Sequence, residues 1–473
     1  MINATGDQVA TTAAKARFAI AYVYGISGVA ALGGLLFGYD WVVIGGAKPF
    51  YEKFFGLTDP SQQGWAMSCA LVGCLGGALV SGWLSDRFGR KRLLITAGLV
   101  FAVSSMGTAT ASSFAAFVPW RIMGGWAIGM ASSLSPMYIA EVAPAQFRGK
   151  LVSLNQLTIV IGILLAQLVN WLIAEPVPAN ATAQHILHSW NGQVGWRWMF
   201  GVTAIPSLLF LTAMFAVPES PRWLAKKGAR ELAKRVLSRI GGEDYGVAAL
   251  REIEATVSQD ASRAELRMLL DRRMYKPLLL GIVLAVLQQW CGINVIFNYA
   301  EEVFSAAGYG VSQILFNIVV TGAVNLLFTF VAIGVVDRYG RRVLMLAGAA
   351  GLAIIYTCLG AFYYAHHHGV HMLVFVVAAI ACYAMSLAPV TWVIISEIFP
   401  NQVRGAAVSV SVTALWIASF ILTYTFPLLN HTLGAAKTFW IYAAICVAGF
   451  LFIHIRLPET KGKTLEDIEH LWD

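Results

Sequence analysis

The chain has 473 residues, of which 58% are hydrophobic and only 12% charged, about half the charged share of an ordinary soluble domain. A mean hydropathy of +0.68 excludes an ordinary soluble enzyme and indicates a polytopic membrane protein. The net charge of +8 could suggest a nucleic-acid partner, but the placement of the basic residues gives it another meaning.

Apolar runs near the ~20 residues needed to cross a bilayer recur along the chain. They cover 18–46, 63–85, 93–110, 115–143, 150–174 and 196–217, then 275–307, 311–336, 343–365, 371–399, 404–427 and 436–457. Their length implies helices rather than the ~10-residue alternating strands of a membrane barrel. The segment Met1 to Ala16 is polar and the first run is too long for a signal h-region, so no cleaved leader is expected. Within the first run Asp40 is the one ionised group, and a carboxylate at that depth costs roughly 2.5–3.5 kcal/mol on insertion scales. Its natural partner is Arg121, the lone charge of Phe114 to Tyr138.

Lys15 and Arg17 precede the first run; Arg87, Arg90, Lys91 and Arg92 follow the second, and Arg148 and Lys150 the fourth. Arg338, Arg341 and Arg342 follow the eighth, Arg404 the tenth, and Arg456, Lys461 and Lys463 the last. The intervening loops hold only Lys48, Lys53, Arg197 and Lys437. Such an asymmetry places both termini and the central polar stretch in the cytoplasm. Basic residues therefore encode orientation, and no nucleic acid is needed. In the central stretch, Arg230 to Ile240 and Val247 to Val257 show helical spacing, including Leu232, Val236 and Leu237, broken at Gly241-Gly242. Short amphipathic helices on the cytoplasmic membrane face are expected there.

The two halves repeat. Asp86-Arg87-Phe88-Gly89-Arg90 after the second run matches Asp337-Arg338-Tyr339-Gly340-Arg341 after the eighth. Glu141 followed seven residues on by Arg148 matches Glu397 followed by Arg404, and Pro218-Glu219-Ser220 matches Pro458-Glu459-Thr460. Three signatures in the same order imply parallel six-helix halves. The expected division is 1–217, a linker 218–274, 275–457 and a cytoplasmic tail 458–473. Gly89 and Gly340 suit tight turns, Asp86 and Asp337 suit the N-terminus of a neighbouring helix, and Arg90 and Arg341 can reach Glu219, Glu459, Glu141 or Glu397.

On these motifs, and on Pro218-Glu219-Ser220-Pro221-Arg222-Trp223 and Pro458-Glu459-Thr460-Lys461-Gly462, the chain resembles a sugar porter of the major facilitator superfamily. Within that group it is most similar to bacterial xylose–proton symporters, from Gly33 to Glu466. The resemblance implies an all-α membrane fold of twelve helices in two pseudo-symmetric bundles. It also implies that the signature charges, Arg222 included, form a cytoplasmic latch between the bundles. Gln156, Gln288, Gln289, Asn294, Asn325 and Trp392 match sugar-contacting positions, and Phe37 an aromatic wall. The residues suit that role: a neutral polyhydroxylated ligand needs amide donors and acceptors beside an aromatic face. Gln288 and Asn298, ten apart, share one helix face, and Gly281 and Gly292 would let that helix bend. Interhelical amide packing is the alternative reading. Leu415 stands where relatives carry an amide, Asn298 where a Tyr is usual, Ala388 where a Gly precedes Pro389, and Trp41 where a small hydroxyl residue is common. These departures bear on which sugar is taken rather than on the fold.

Asp40 is the candidate for proton coupling. Desolvation favours its protonated form and Arg121 favours the ionised one, so alternating access can switch between them. A fixed structural ion pair is the alternative. The expected activity is symport of a pentose or hexose with a proton into the cell across a bacterial inner membrane, by a monomer needing no cofactor or metal. Facilitative uniport, a polyol or cyclitol cargo, and a nutrient sensor are the other readings; an enzyme is disfavoured because no nucleophile–base pair or phosphate loop stands out. The six cysteines lie in apolar runs and read as free thiols. His366, His367, His368 and His371 sit at an external turn without supporting ligands, and Asn180-Ala181-Thr182 is a sequon of no consequence in a bacterium.

Overall fold

The computed structural model describes residues 18–178, 181–257, 271, 274–367, 369–399 and 403–459. Asn180, His368, Lys15, Arg17, Lys461 and Lys463 lie outside the described residues, as do the side chains of Asp337 and Arg404. Ten helices are long and apolar enough to span a membrane on composition alone. The 29-residue helix Phe114–Val142, which carries Arg121 and Glu141, packs among them, and Gly434 at φ 79 divides Arg404–Arg456 into two, which makes twelve long helices among the described residues. We number them α1 (Ile20–Phe55), α2 (Pro60–Phe88), α3 (Arg90–Thr110), α4 (Phe114–Val142), α5 (Ala145–Ile173) and α6 (Asn191–Ala216). The second set is α7, α8 (Val311–Tyr339), α9 (Arg341–Tyr364), α10, α11 (404–433) and α12 (435–456).

Local chemistry sets the starts and breaks. Asp59 accepts from the Gln62 amide at 3.2 Å with Pro60 in the first turn, so α2 begins there. Ser113 caps α4 by accepting from the Ala116 amide at 3.3 Å. Helix α7 runs unbroken through Gly281 and stops before Gly292, whose φ of 87 lies in the left-handed region that favours glycine. It therefore has a first piece, α7a (Tyr275–Trp290), and a second, α7b, made of Ile293–Asn298 and Ala300–Ala306. Likewise α10 breaks at Ser386 into α10a (Val370–Met385) and α10b (Leu387–Glu397).

Helix α1 overruns its apolar stretch. It continues from 46 to Phe55 through Lys48, Glu52 and Lys53, which the sequence pattern assigns to a loop. The charges stay helical because they are paired inside the protein. Close crossings pack the spans: Gly38 lies so near the Ile159 carbonyl of α5 that any Cβ would clash, and Gly125 does the same against Ala70 of α2. In the linker, Arg230–Gly241 and Glu243–Val257 fold around a small separate core of Leu224, Ala233, Leu237, Ala249 and Leu250. Of the apolar positions expected there, Leu237 is buried, whereas Leu232 is 51% exposed. All six cysteines are free thiols.

Candidate functional site

Midway along α1, Asp40 Oδ1 accepts from Arg121 Nη1 of α4 at 2.8 Å, and both side chains are buried. A glycine lets α1 approach α4 closely: a Cβ at Gly33 would run into the Ser135 side chain. The Arg121 guanidinium also lies over the Phe200 ring of α6 at 5.3 Å. Asp40 Oδ2 and Arg121 Nε have no hydrogen-bond partner. Removing one member of such a pair would strand the other, at about 3–5 kcal/mol. A cavity of about 20 Å³, room for one water, adjoins the pair. Its lining includes Trp41, Asn298 of α7b and Thr423 of α11, so both halves of the chain meet the buried charges.

The amides expected to meet a sugar are partly assembled. Across the break in α7, Asn294 Nδ2 donates to Gln289 Oε1 at 2.5 Å, and Gln289 Nε2 donates to Gln288 Oε1 at 3.4 Å. Gln288 Nε2 in turn donates to the Ala388 carbonyl of α10b at 3.1 Å. Asn298 Oδ1 is buried without a partner beside this chain of amides. Phe37 faces Trp416, neighbour of the buried Leu415, with ring centroids 5.9 Å apart. Gln156 is half-buried on α5, Asn325 is buried on α8, and Trp392 on α10b is 40% exposed. Among the described residues these three make no direct hydrogen bond to the amide chain.

Two aromatic residues complete the wall. Trp41 stands 5.8 Å from Phe37 and 6.0 Å from Trp416, and the three rings enclose one corner beside Asp40. Trp416 itself was not legible as a site residue, since a Trp in an apolar run reads as core. Its buried Nε1 nevertheless lacks a partner. An unpaired buried polar group costs about 1–3 kcal/mol, which a ligand hydroxyl could recover.

The signature turns form a second constellation at one end of the bundle. Gly89 and Gly340 take φ 99 and 90, turning α2 into α3 and α8 into α9. Glu219 accepts from the Arg90 and Lys91 amides at 3.0 and 3.1 Å, and Glu459 accepts from those of Arg341 and Arg342 at 2.9 and 3.1 Å. The anion at the start of α3 is thus Glu219 rather than Asp86, which pairs with Arg90 at 3.1 Å and Lys226 at 3.0 Å. Arg90 also meets Glu141 at 3.0 Å, and Arg341 meets Glu397 at 3.2 Å. These pairs join helices within one half. Arg87 lies over Trp83 and Arg338 over Tyr339, Arg148 is exposed, and Arg222 sits in the first turn of Pro221–Lys226.

Twelve apolar helices, two sets of matched turns and a sealed acid–arginine pair inside the first half define a multi-pass membrane transporter of the major facilitator fold. The family described as sugar (and other) transporter matches residues 26–472. The D-xylose–proton symporter of Escherichia coli K12 is 38% identical across 96% of both chains. The arabinose–proton symporter of Bacillus subtilis 168 is 38% identical across 95% of both. A solved structure of the E. coli xylose transporter in an inward-open conformation aligns over 95% of this chain and all of that one, with 37% identity and a TM-score of 0.83. The chain belongs to the sugar transporter family.

Proposed function

We propose that the protein carries a monosaccharide, pentose or hexose, into the cell together with a proton by alternating access. The observation that carries this reading is the Asp40–Arg121 pair, closed at 2.8 Å away from solvent and touching a cavity that both halves line. A proton arriving on Asp40 removes the charge that holds Arg121, and the rearrangement frees the helix faces that meet the sugar. Re-engagement of Arg121 expels the proton on the other side. Gln288, Gln289, Asn294 and Asn298 bind the hydroxyls; Gln156, Asn325 and Trp392 close on the sugar from α5, α8 and α10b. Phe37 and Leu415 supply its apolar wall. The bundles 1–217 and 275–457 move as bodies, tied by the linker 218–274, with the signature turns and both termini in the cytoplasm. Asp86, Arg90, Glu141, Glu219 and their counterparts Asp337, Arg341, Glu397 and Glu459 brace the helix ends on which the latch depends, with Arg87, Arg148, Arg222, Arg338 and Arg404 as its basic members. The unit of function is one chain.

Asp40→Asn in sealed vesicles tests the assignment. Sugar counterflow should persist while uphill accumulation and proton entry disappear. Intact proton-driven accumulation in that variant would falsify the role given to Asp40.

A further inference from the structure

A buried charge cluster lies on the face opposite the signature turns. Lys48 lies two turns beyond Asp40 on α1 and is only 2% exposed. Its Nζ is 2.6 Å from Glu302, 3.0 Å from Glu52 and 3.4 Å from Glu301. Lys53 approaches Glu301 at 3.8 Å, and Gln63 of α2 donates to Glu52 at 3.3 Å. Lys48 and Glu52 belong to the first half; Glu301 and Glu302 belong to α7b in the second. The cluster therefore crosses the seam between halves.

Two features show what it can do. First, Glu302 lies four residues beyond Asn298, across the short break at Tyr299 that joins the two pieces of α7b, so a force on Glu302 is passed along the backbone to Asn298 at the central cavity. The Phe297 and Asn298 carbonyls already press on Gly45 of α1, each 3.0 Å from where a Cβ would be. Second, Glu52 stands at i+4 from Lys48 on the same helix. If α7b lifts away, Glu52 stays with the ammonium. A buried cation left alone would cost several kcal/mol, and this resting partner lowers that cost and makes the contact reversible.

We propose that Lys48 is a positioning residue of the transport cycle. It draws α7b down onto α1 through Glu302, which closes the mouth on this face and seats Asn298 at the cavity; opening toward this face requires that pair to part. The inference rests on alternating access but not on proton coupling through Asp40, and its test needs neither sugar nor gradient.

Cys74 lines the central cavity and is fully buried here. It is the reporter in full-length protein whose other five cysteines are serine, in right-side-out vesicles, with a membrane-impermeant maleimide added outside. Lys48→Met and the near-isosteric Glu302→Gln should each speed labelling by about fivefold or more, through a larger open population. The charge swap Lys48→Glu with Glu302→Lys keeps one cation among three carboxylates and should return labelling to the parent rate. Unchanged labelling in both single variants overturns the proposal. So does a swap that labels as fast as the singles, because the cluster would then be mere packing. Glu302→Gln retains size and a polar contact, so it reports even where Lys48→Met fails to fold.

Discussion

Trp41 is the side chain whose consequences for cargo can be argued most directly. It follows Asp40 on α1, lines the cavity with Asn298 and Thr423, and packs edge-on against Phe37 and tilted against Trp416. An indole there removes volume next to the buried acid and hides the pair from whatever the amides hold. Leu415 beside Trp416 adds apolar surface where a hydroxyl partner could have stood. Both point to a compact cargo with one face that needs no hydrogen bonds. Trp41→Thr should therefore admit bulkier sugars. Competition of hexoses against a pentose for uptake should improve about tenfold, the scale at which a pocket discriminates by a few carbon-sized groups. Unaltered relative affinities would place Trp41 outside the sugar's reach. Arg121→Ala makes a different demand. It strands Asp40, which can shed its charge by taking up a proton, whereas Asp40→Asn leaves a buried guanidinium that cannot, so the fuller cost of about 3–5 kcal/mol should appear as a lower melting temperature in detergent for Asp40→Asn and a smaller drop for Arg121→Ala.

At the level of helices, the carboxylates of the two Pro-Glu signatures act on backbone rather than on arginine side chains alone. Glu219 reaches across 129 residues to take the first amides of α3, and Glu459 does the same for α9. Each satisfies two donors that a helix start leaves open and sits at the positive end of the helix dipole. Glu219→Ala should cost about 1–2 kcal/mol, as for loss of a strong N-cap, and Glu459→Ala about the same. The two losses should add in the double variant, because the two turns lie in different halves of the chain. Thermal melts of the three proteins measure this, and strong non-additivity would mean that the two turns are coupled. The repeat itself was legible, since its residues are local and ordered; the atom that Glu219 binds was not, because no local pattern names a partner so far along the chain. The same limit explains α1. Its apolar part and Asp40 stand out, but Lys48, Glu52 and Lys53 look like a loop until Glu301 and Glu302 arrive from about 250 residues later to neutralise them. Where a glycine itself makes the break, as at Gly292, the chain announced it; at Gly281 the glycine serves close packing against Phe399 and Ser411 instead.

At the scale of the whole molecule, the contacts between the halves that the described residues show include several on the face away from the signature turns. There Lys48 holds α7b to α1, and the Trp65 ring of α2 lies 6.3 Å from Phe420 of α11. Trp171 of α5 stands 6.0 Å from Phe316 of α8, and the Val177 amide donates to Ser312 at 2.8 Å. Glycines mark the closeness of this seam: at Gly64 of α2 a Cβ would lie 2.3 Å from the Tyr424 carbonyl. At the opposite end, Gly149 and Gly405, where α5 and α11 begin, meet nothing within 4 Å. Among the described residues the halves are thus closed together on the face away from the signature turns, and a relative solved in an inward-open conformation aligns with this chain at a TM-score of 0.83. Because packed interfaces switch rather than stretch, a side chain forced into the seam should tip the balance instead of merely loosening it. Gly64→Val has no room while α2 touches α11 and must favour the arrangement in which they separate. Spin labels at Gln62 and Thr432, exposed near the ends of those helices on that face, would read the change as a longer distance. Gly405→Val, added where space is free, should leave the same distance as it was. Equal distances in the parent and Gly64→Val proteins would show that this crossing is a fixed hinge, and the moving seam would then have to lie between α1 and α7b alone.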